Sequence, residues 1–121
     1  MIGYVTLGSN DRERANAFYD KVLAPLGGRR VYANDRLQFW SNASGDLFAV
    51  GQPWNGEAAT VGNGAMFGLA APSRELVDQV HATALAAGAT CDGAPGQRTE
   101  VFYCGYFRDL DGNKLCIFKM G

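Results

Sequence analysis

Histidine is almost missing from this 121-residue sequence, where His81 is the only one. Its scarcity removes most acid–base and metal chemistry that relies on imidazole. Cysteine is sparse as well. Cys91, Cys104 and Cys116 are odd in number, lie 13 and 12 positions apart and form no C-x-x-C pair. Such spacing builds no zinc ribbon, redox pair or disulfide framework, and Cys91 and Cys104 read as small buried apolar residues. There is no block of Lys and Arg, and the formal net charge is −1, which argues against nucleic acid and against an anionic membrane surface. The apolar runs fall far short of the roughly 20 residues that cross a bilayer. Met1-Ile2-Gly3-Tyr4 lacks the basic and apolar regions of a signal peptide. The expectation is a cytoplasmic protein that engages neither nucleic acid nor membrane.

What the sequence does have is glycine, 16 residues of it, set between short periodic segments. Residues 2–7 read as a strand, and Ser9-Asn10-Asp11 then forms a helix N-cap cluster with Glu13 in the first turn. Ala15, Phe18, Tyr19, Val22, Leu23 and Leu26 follow at helical spacing up to the stop at Gly27-Gly28. Strands are predicted at 29–33, 36–41 and 46–51. The second half repeats the pattern: a strand at 65–70, a helix opened by Pro72-Ser73-Arg74-Glu75 and stopped by Gly88, then strands at about 89–92, 99–108 and 114–119. An offset of 62 residues lays Tyr4 on Met66 and Arg12-Glu13 on Arg74-Glu75. The expected fold is therefore α+β, one domain of two tandem βαβββ modules. Their sheets should form a curled mixed sheet around a cleft, with the helices outside. Repeat 1 covers about 1–52, a Gly-rich linker 53–63, and repeat 2 about 64–121.

Val5-Thr6-Leu7-Gly8, Asp11-Arg12-Glu13-Arg14, Phe18-Tyr19 and Leu26-Gly27 make up one half of a familiar pattern. Ala70-Ala71-Pro72-Ser73-Arg74, the Ala84–Gly88 helix end and Tyr106-Phe107-Arg108-Asp109-Leu110-Asp111-Gly112-Asn113 make up the other. The last stretch resembles a Tyr-x-x-Asp-Pro-Asp-Gly-Asn hairpin with Leu110 in place of proline. Together these segments resemble the glyoxalase/bleomycin-resistance/extradiol-dioxygenase group, the vicinal oxygen chelate superfamily. The resemblance implies a divalent metal held by His, Gln or Glu on the first and last strands of each repeat, acting as a Lewis acid on a chelating substrate. The corresponding positions here are Tyr4, about Ala49, Met66 and Cys116. None is His or Glu, so no metal and no other cofactor is expected. Cys116 with Met66 is soft enough for Cu(I), but apolar lining is the preferred reading.

Candidates for catalysis are few, and none is assigned. Cys116 has only Lys114 nearby to activate a thiolate, and Tyr4 is a poor base. Glu100 and Asp92 read as solvated, His81 as a partly solvated helix residue, and Asp109 and Asp111 as turn residues with Arg108 pairing one of them. Phe18, Phe39 and Phe107 are assigned to the core. The candidate ligand-binding cleft is Tyr4, Phe48, Trp54, Met66, Tyr103 and Cys116, with Trp54 either a lid or an interface residue. The leading reading is a metal-independent small-molecule-binding protein that sequesters a partly apolar ligand in a dimer cleft. A glyoxalase-like lyase or isomerase, its proton moved through Tyr4, Cys116 or Glu57, is the alternative, and a pure dimerisation module is a third. The resemblance also implies a homodimer, since members often build the cleft from two chains.

Overall fold

A computed structural model describes residues 1–121. The chain runs β1 (Tyr4–Gly8), α1 (Arg12–Leu23), a 3-10 turn (Ala24–Leu26), β2 (Arg29–Ala33), β3 (Leu37–Ser41), β4 (Leu47–Gly51), β5 (Phe67–Ala70), α2 (Arg74–Ala86), β6 (Thr90–Thr99), β7 (Phe102–Arg108) and β8 (Lys114–Met120). Two four-stranded mixed sheets result, in the orders β1-β4-β3-β2 and β5-β8-β7-β6. The α+β fold of two tandem βαβββ modules is thus as the sequence reading has it. No helix is long and apolar enough to cross a membrane.

Local chemistry explains the helix boundaries. Asp11 caps α1 by accepting from the Arg14 amide at 3.1 Å, and Ser73 caps α2 by accepting from Leu76 at 3.2 Å. The first helix was expected to run to Leu26, but it tightens into the 3-10 turn after Leu23, where Pro25 has no N–H to continue the ladder. Gly27 then ends the turn at φ 79°.

The largest departure is β6. It spans ten residues where a short strand and a loop were expected, because Gly93, Pro95 and Gly96 are absorbed as register shifts rather than a break. β6 is an edge strand, where bulges and proline interrupt no second ladder.

One hydrophobic cluster serves both modules. Leu7, Trp40, Phe48 and Val50 from the first sheet meet Phe18, Tyr19 and Val22 of α1, Val77, Val80 and Ala84 of α2, and Phe107, Leu115 and Ile117 of the second sheet. Each large side chain buried here contributes about 1.5–3 kcal/mol. α1 and α2 touch one another, and Phe18 reaches Phe107 with ring centroids 6.4 Å apart. The two sheets do not join edge to edge within the chain: β1 pairs only with β4, and β5 only with β8. A curl closed around a cleft is therefore not completed by one chain. The helices hold the modules together, and the helix-free face of each sheet stays outside the core.

A polar latch backs this arrangement. Asp109, buried at the β7–β8 hairpin, accepts the Tyr19 hydroxyl of α1 at 2.5 Å, the Asn113 side chain at 2.9 Å and the amides of Asp111 and Asn113 at 2.9 Å each. Asn113 in turn donates to the Gly8 carbonyl at 2.9 Å, and the Asn10 amide to Asp111 at 3.0 Å. The Asp109–Asn113 turn was legible as a turn, but its second task is to bind module 2 to β1 and α1. Burial, followed by the Asp109 carboxylate, raises the Tyr19 phenol well above its ordinary value.

Candidate functional site

The pleat decides which side chains are available, because pairing partners across a sheet share a face. On the first sheet, Tyr4, Leu47 and Ser41 form one row of the helix-free face, and Thr6, Ala49, Phe39 and Tyr32 the next. Phe39 makes edge or tilted contacts with both Tyr4 and Tyr32, each with centroids 5.8 Å apart. Tyr4 is 59% exposed. A third row, Gly8, Gly51 and Leu37, is flat by necessity: a Cβ on Gly51 would lie 1.9 Å from the Arg36 carbonyl oxygen.

Residues 52–60 border this end of the face and leave a groove of about 670 Å³, lined among others by Thr6, Arg36, Trp54, Glu57 and Thr60. Trp54, 87% exposed, stacks beneath the Arg36 guanidinium at 5.4 Å. Arg36 also donates to the Gln52 carbonyl at 2.8 Å.

The helix-free face of the second sheet has a different chemistry. Cys116 pairs with Tyr106 and Cys104 with Phe118, while Phe118 stacks on Phe102 at 5.4 Å. The Arg98 guanidinium lies 5.6 Å from the Tyr106 ring centroid and donates to the Ala94 carbonyl at 2.7 Å. The Lys114 ammonium approaches the same ring at 5.2 Å. Asp92 bridges Arg108 at 3.0 Å and Lys114 at 3.5 Å, which holds its carboxyl below the usual range.

Cys116 is only 2% exposed. Burial, with Cys104 beside it, pushes its thiol up to about 12, so it stays protonated at neutral pH and makes a weak nucleophile. The neighbouring Cys104, then burial, push the Tyr106 phenol up to about 12 as well. It is therefore a hydrogen-bond donor.

A second concavity, about 460 Å³, opens between the modules and is lined by Val5, Leu23, Phe48, Met66, Phe67 and eleven others. The six residues expected in one cleft are thus distributed. Tyr4 and Trp54 belong to the first helix-free face and Cys116 to the second. Phe48 lies on the helix side against Tyr19, with centroids 4.9 Å apart, and shares the inter-module groove with Met66. Tyr103 is turned onto α2, its hydroxyl donating to Asp78 at 2.6 Å beneath Arg74.

Several smaller expectations need correction. Phe39 is not core but half-buried on the helix-free face. Cys91 is exposed and not buried. His81 is buried, its Nε2 3.0 Å from the Tyr106 carbonyl oxygen and 3.6 Å from the Cys91 sulfur. Arg108 pairs Asp92 and not a turn aspartate. Sequence reasoning also passed over Tyr32, Arg36 and Arg98.

The donor set does not fit the metal that the fold implies. Of the four corresponding positions, Tyr4 and Ala49 lie on one helix-free face, Cys116 on the other and Met66 at the groove mouth. They offer a phenol, a methyl, a thioether and a protonated thiol, none suited to a hard divalent ion. No group of three or more His, Cys, Asp and Glu comes close enough to hold a metal.

The profile of the Glyoxalase/Bleomycin resistance protein/Dioxygenase superfamily matches residues 1–117. A glyoxalase/bleomycin resistance protein from Albidiferax ferrireducens T118 is similar at 40% identity and TM-score 0.90, covering 98% of this chain and 97% of that one. A glyoxalase/bleomycin resistance protein/dioxygenase family enzyme from Burkholderia phytofirmans PsJN (18% identity, TM-score 0.77, 98% of each chain) shares the fold. So does a glyoxalase-related enzyme from Fulvimarina pelagi (22%, 0.77, 98% of this chain and 86% of that one). No curated protein matches the sequence.

Proposed function

This chain belongs to the Glyoxalase/Bleomycin resistance protein/Dioxygenase superfamily, and we propose that within it the protein binds a small, partly apolar molecule without a metal. The ligand is sequestered in a cleft formed when the helix-free face of module 1 meets that of module 2 from a second copy. Repeat 1 at about 1–52 and repeat 2 at about 64–121 are the two walls, and the linker 53–63 carries Trp54 to the rim. Three free cysteines suit a reducing compartment, and the proposed location is the cytoplasm.

One observation carries this reading. The helix-free face of module 1 exposes Tyr4 and Tyr32 and carries a groove lined by exposed Trp54 and by Thr6, Gly8 and Gly51, and it holds no metal-ligating set. Exposed aromatics on an unpaired sheet face are an interface or a binding surface far more often than a free one. A two-fold dimer would cover both faces twice over.

The test is sedimentation equilibrium on protein purified without chelator, with metal analysis of the same sample. The expected result is a mass twice the 13.0 kDa chain, with no stoichiometric metal retained after dialysis against Mn²⁺, Ni²⁺ and Zn²⁺. A monomer at tens of micromolar would refute the composite cleft. One metal per chain would refute metal independence and bring the lyase alternative forward.

A further inference from the structure

The two walls share a detail that the metal positions do not. Each carries a guanidinium seated on an aromatic ring, anchored to a backbone carbonyl, and free of any carboxylate: Arg36 on Trp54 and Arg98 on Tyr106. Of the six other arginines three are neutralised, and Arg12, Arg29 and Arg74, which form no ion pair, do not combine a ring with a carbonyl anchor. Arg30 grips Asp20 through two bonds of 3.0 and 2.7 Å, Arg108 bonds Asp92, and Arg14 lies near Asp11 and Asp111. No ion pair involves Arg36 or Arg98. The two are not equivalents of the internal repeat: strand register lays Trp40 on Phe107 and Phe48 on Leu115, an offset of 67, because the β6–β7 hairpin is the longer one. In a cleft built from one module of each copy they stand on opposite walls.

We propose that the ligand is a small organic anion, a carboxylate on a flat apolar body, received by Arg98 beside Tyr106 on one wall and by Arg36 beside Trp54 on the other. This rests on the composite cleft proposed above and adds the ligand's chemical class. A guanidinium presents five N–H donors in a planar fork that matches a carboxylate, and the carbonyl bond of each uses only part of that fork. Stacking on a ring fixes the plane of the fork before the ligand arrives, which lowers the ordering cost of binding. Lys114 and Arg108 add positive charge to the second wall against the single carboxylate of Asp92, so the field there favours an anion. The rings of Trp54, Tyr106 and the Phe102–Phe118 stack supply flat apolar surface for the rest of the molecule. The Tyr106 hydroxyl can donate to the same anion.

The experiment compares three probes of nearly equal shape by isothermal titration calorimetry on the intact protein: 2-naphthoate, 2-naphthamide and 2-naphthylmethylammonium. The expected order is naphthoate tightest, by about tenfold over the amide, with the ammonium weakest and the preference shrinking as salt rises. Arg98→Gln and Arg36→Gln should each weaken naphthoate about tenfold and leave the amide unchanged. Arg98→Lys should retain part of the preference, and Arg14→Gln, remote from both walls, all of it. Unchanged amide affinity and unchanged melting certify that the variants are folded. Equal affinity for all three probes, or a preference for the ammonium, would overturn the anion inference and leave the cleft standing. Absence of binding by every probe would overturn the cleft and the inference together.

Discussion

The two sides of each sheet obey different rules. On the helix side nearly every polar atom is satisfied within the chain: Asp109 collects Tyr19, Asn113 and two amides, Trp40 donates to Asp20 at 3.0 Å, and Tyr103 donates to Asp78. On the helix-free side, Tyr4, Tyr32 and Trp54 stand exposed, and Arg36 and Arg98 lack carboxylate partners. The first side is what holds one chain together. The second carries groups without partners in the chain, and it is the side on which the second copy and the ligand are proposed to sit.

The comparison can be attacked first where the effect is largest. Asp109→Ala should lower the free energy of urea unfolding by about 3 kcal/mol, because it strands a buried hydroxyl, an amide side chain and two N–H groups. Tyr19→Phe removes one of those bonds and should cost about 1 kcal/mol.

The latch also predicts an alkaline limit. The Tyr19 value is raised on folding, so the folded state holds its proton longer than the unfolded chain does. The stability this contributes is complete below the unfolded value of about 10 and is lost as pH rises from there towards the folded value. Melting temperature should therefore fall above about pH 10, and Tyr19→Phe should flatten that part of the profile. On the opposite side, Tyr4→Ser and Tyr32→Ser should shift unfolding of dilute, monomeric protein by less than about 0.5 kcal/mol. The same pair should weaken dimerisation measurably in sedimentation. A large loss of monomer stability would erase the distinction between the two sides.

The smallest expected effect is spectroscopic. With Trp40 buried and Trp54 exposed, acrylamide should quench mainly Trp54, and 2-naphthoate should protect it. Protection that survives Trp54→Phe would place the probe elsewhere.

Much of this was legible from the order of residues. The offset of 62 and the cap residues Asp11 and Ser73 gave the modules and their helices. What failed was parity. Tyr103 has the same parity in β7 as Phe107, which is core, whereas Tyr106 alternates with it. A strict period-two reading would have sent Tyr103 to the helix and Tyr106 to the open face. Phe48 shares parity with Val50 in β4 in the same way, and Phe39 alternates with Trp40 in β3. The bulges of β6 were not legible, since Gly93, Pro95 and Gly96 are breakers everywhere except on an edge strand. Nor could spacing alone show that α1 packs on α2 and so leaves both helix-free faces uncovered within the chain.

The most direct test of that conclusion mixes two blocked variants. Thr6→Trp fills the open face of module 1 and Ala70→Trp that of module 2, so each homodimer should bind no 2-naphthoate. If each cleft takes one wall from each copy, random mixing makes half the dimers heterodimers with one intact cleft. The mixture should then recover about a quarter of the wild-type sites. No recovery from the mixture, or binding that persists in either variant alone, would mean that the cleft belongs to a single chain.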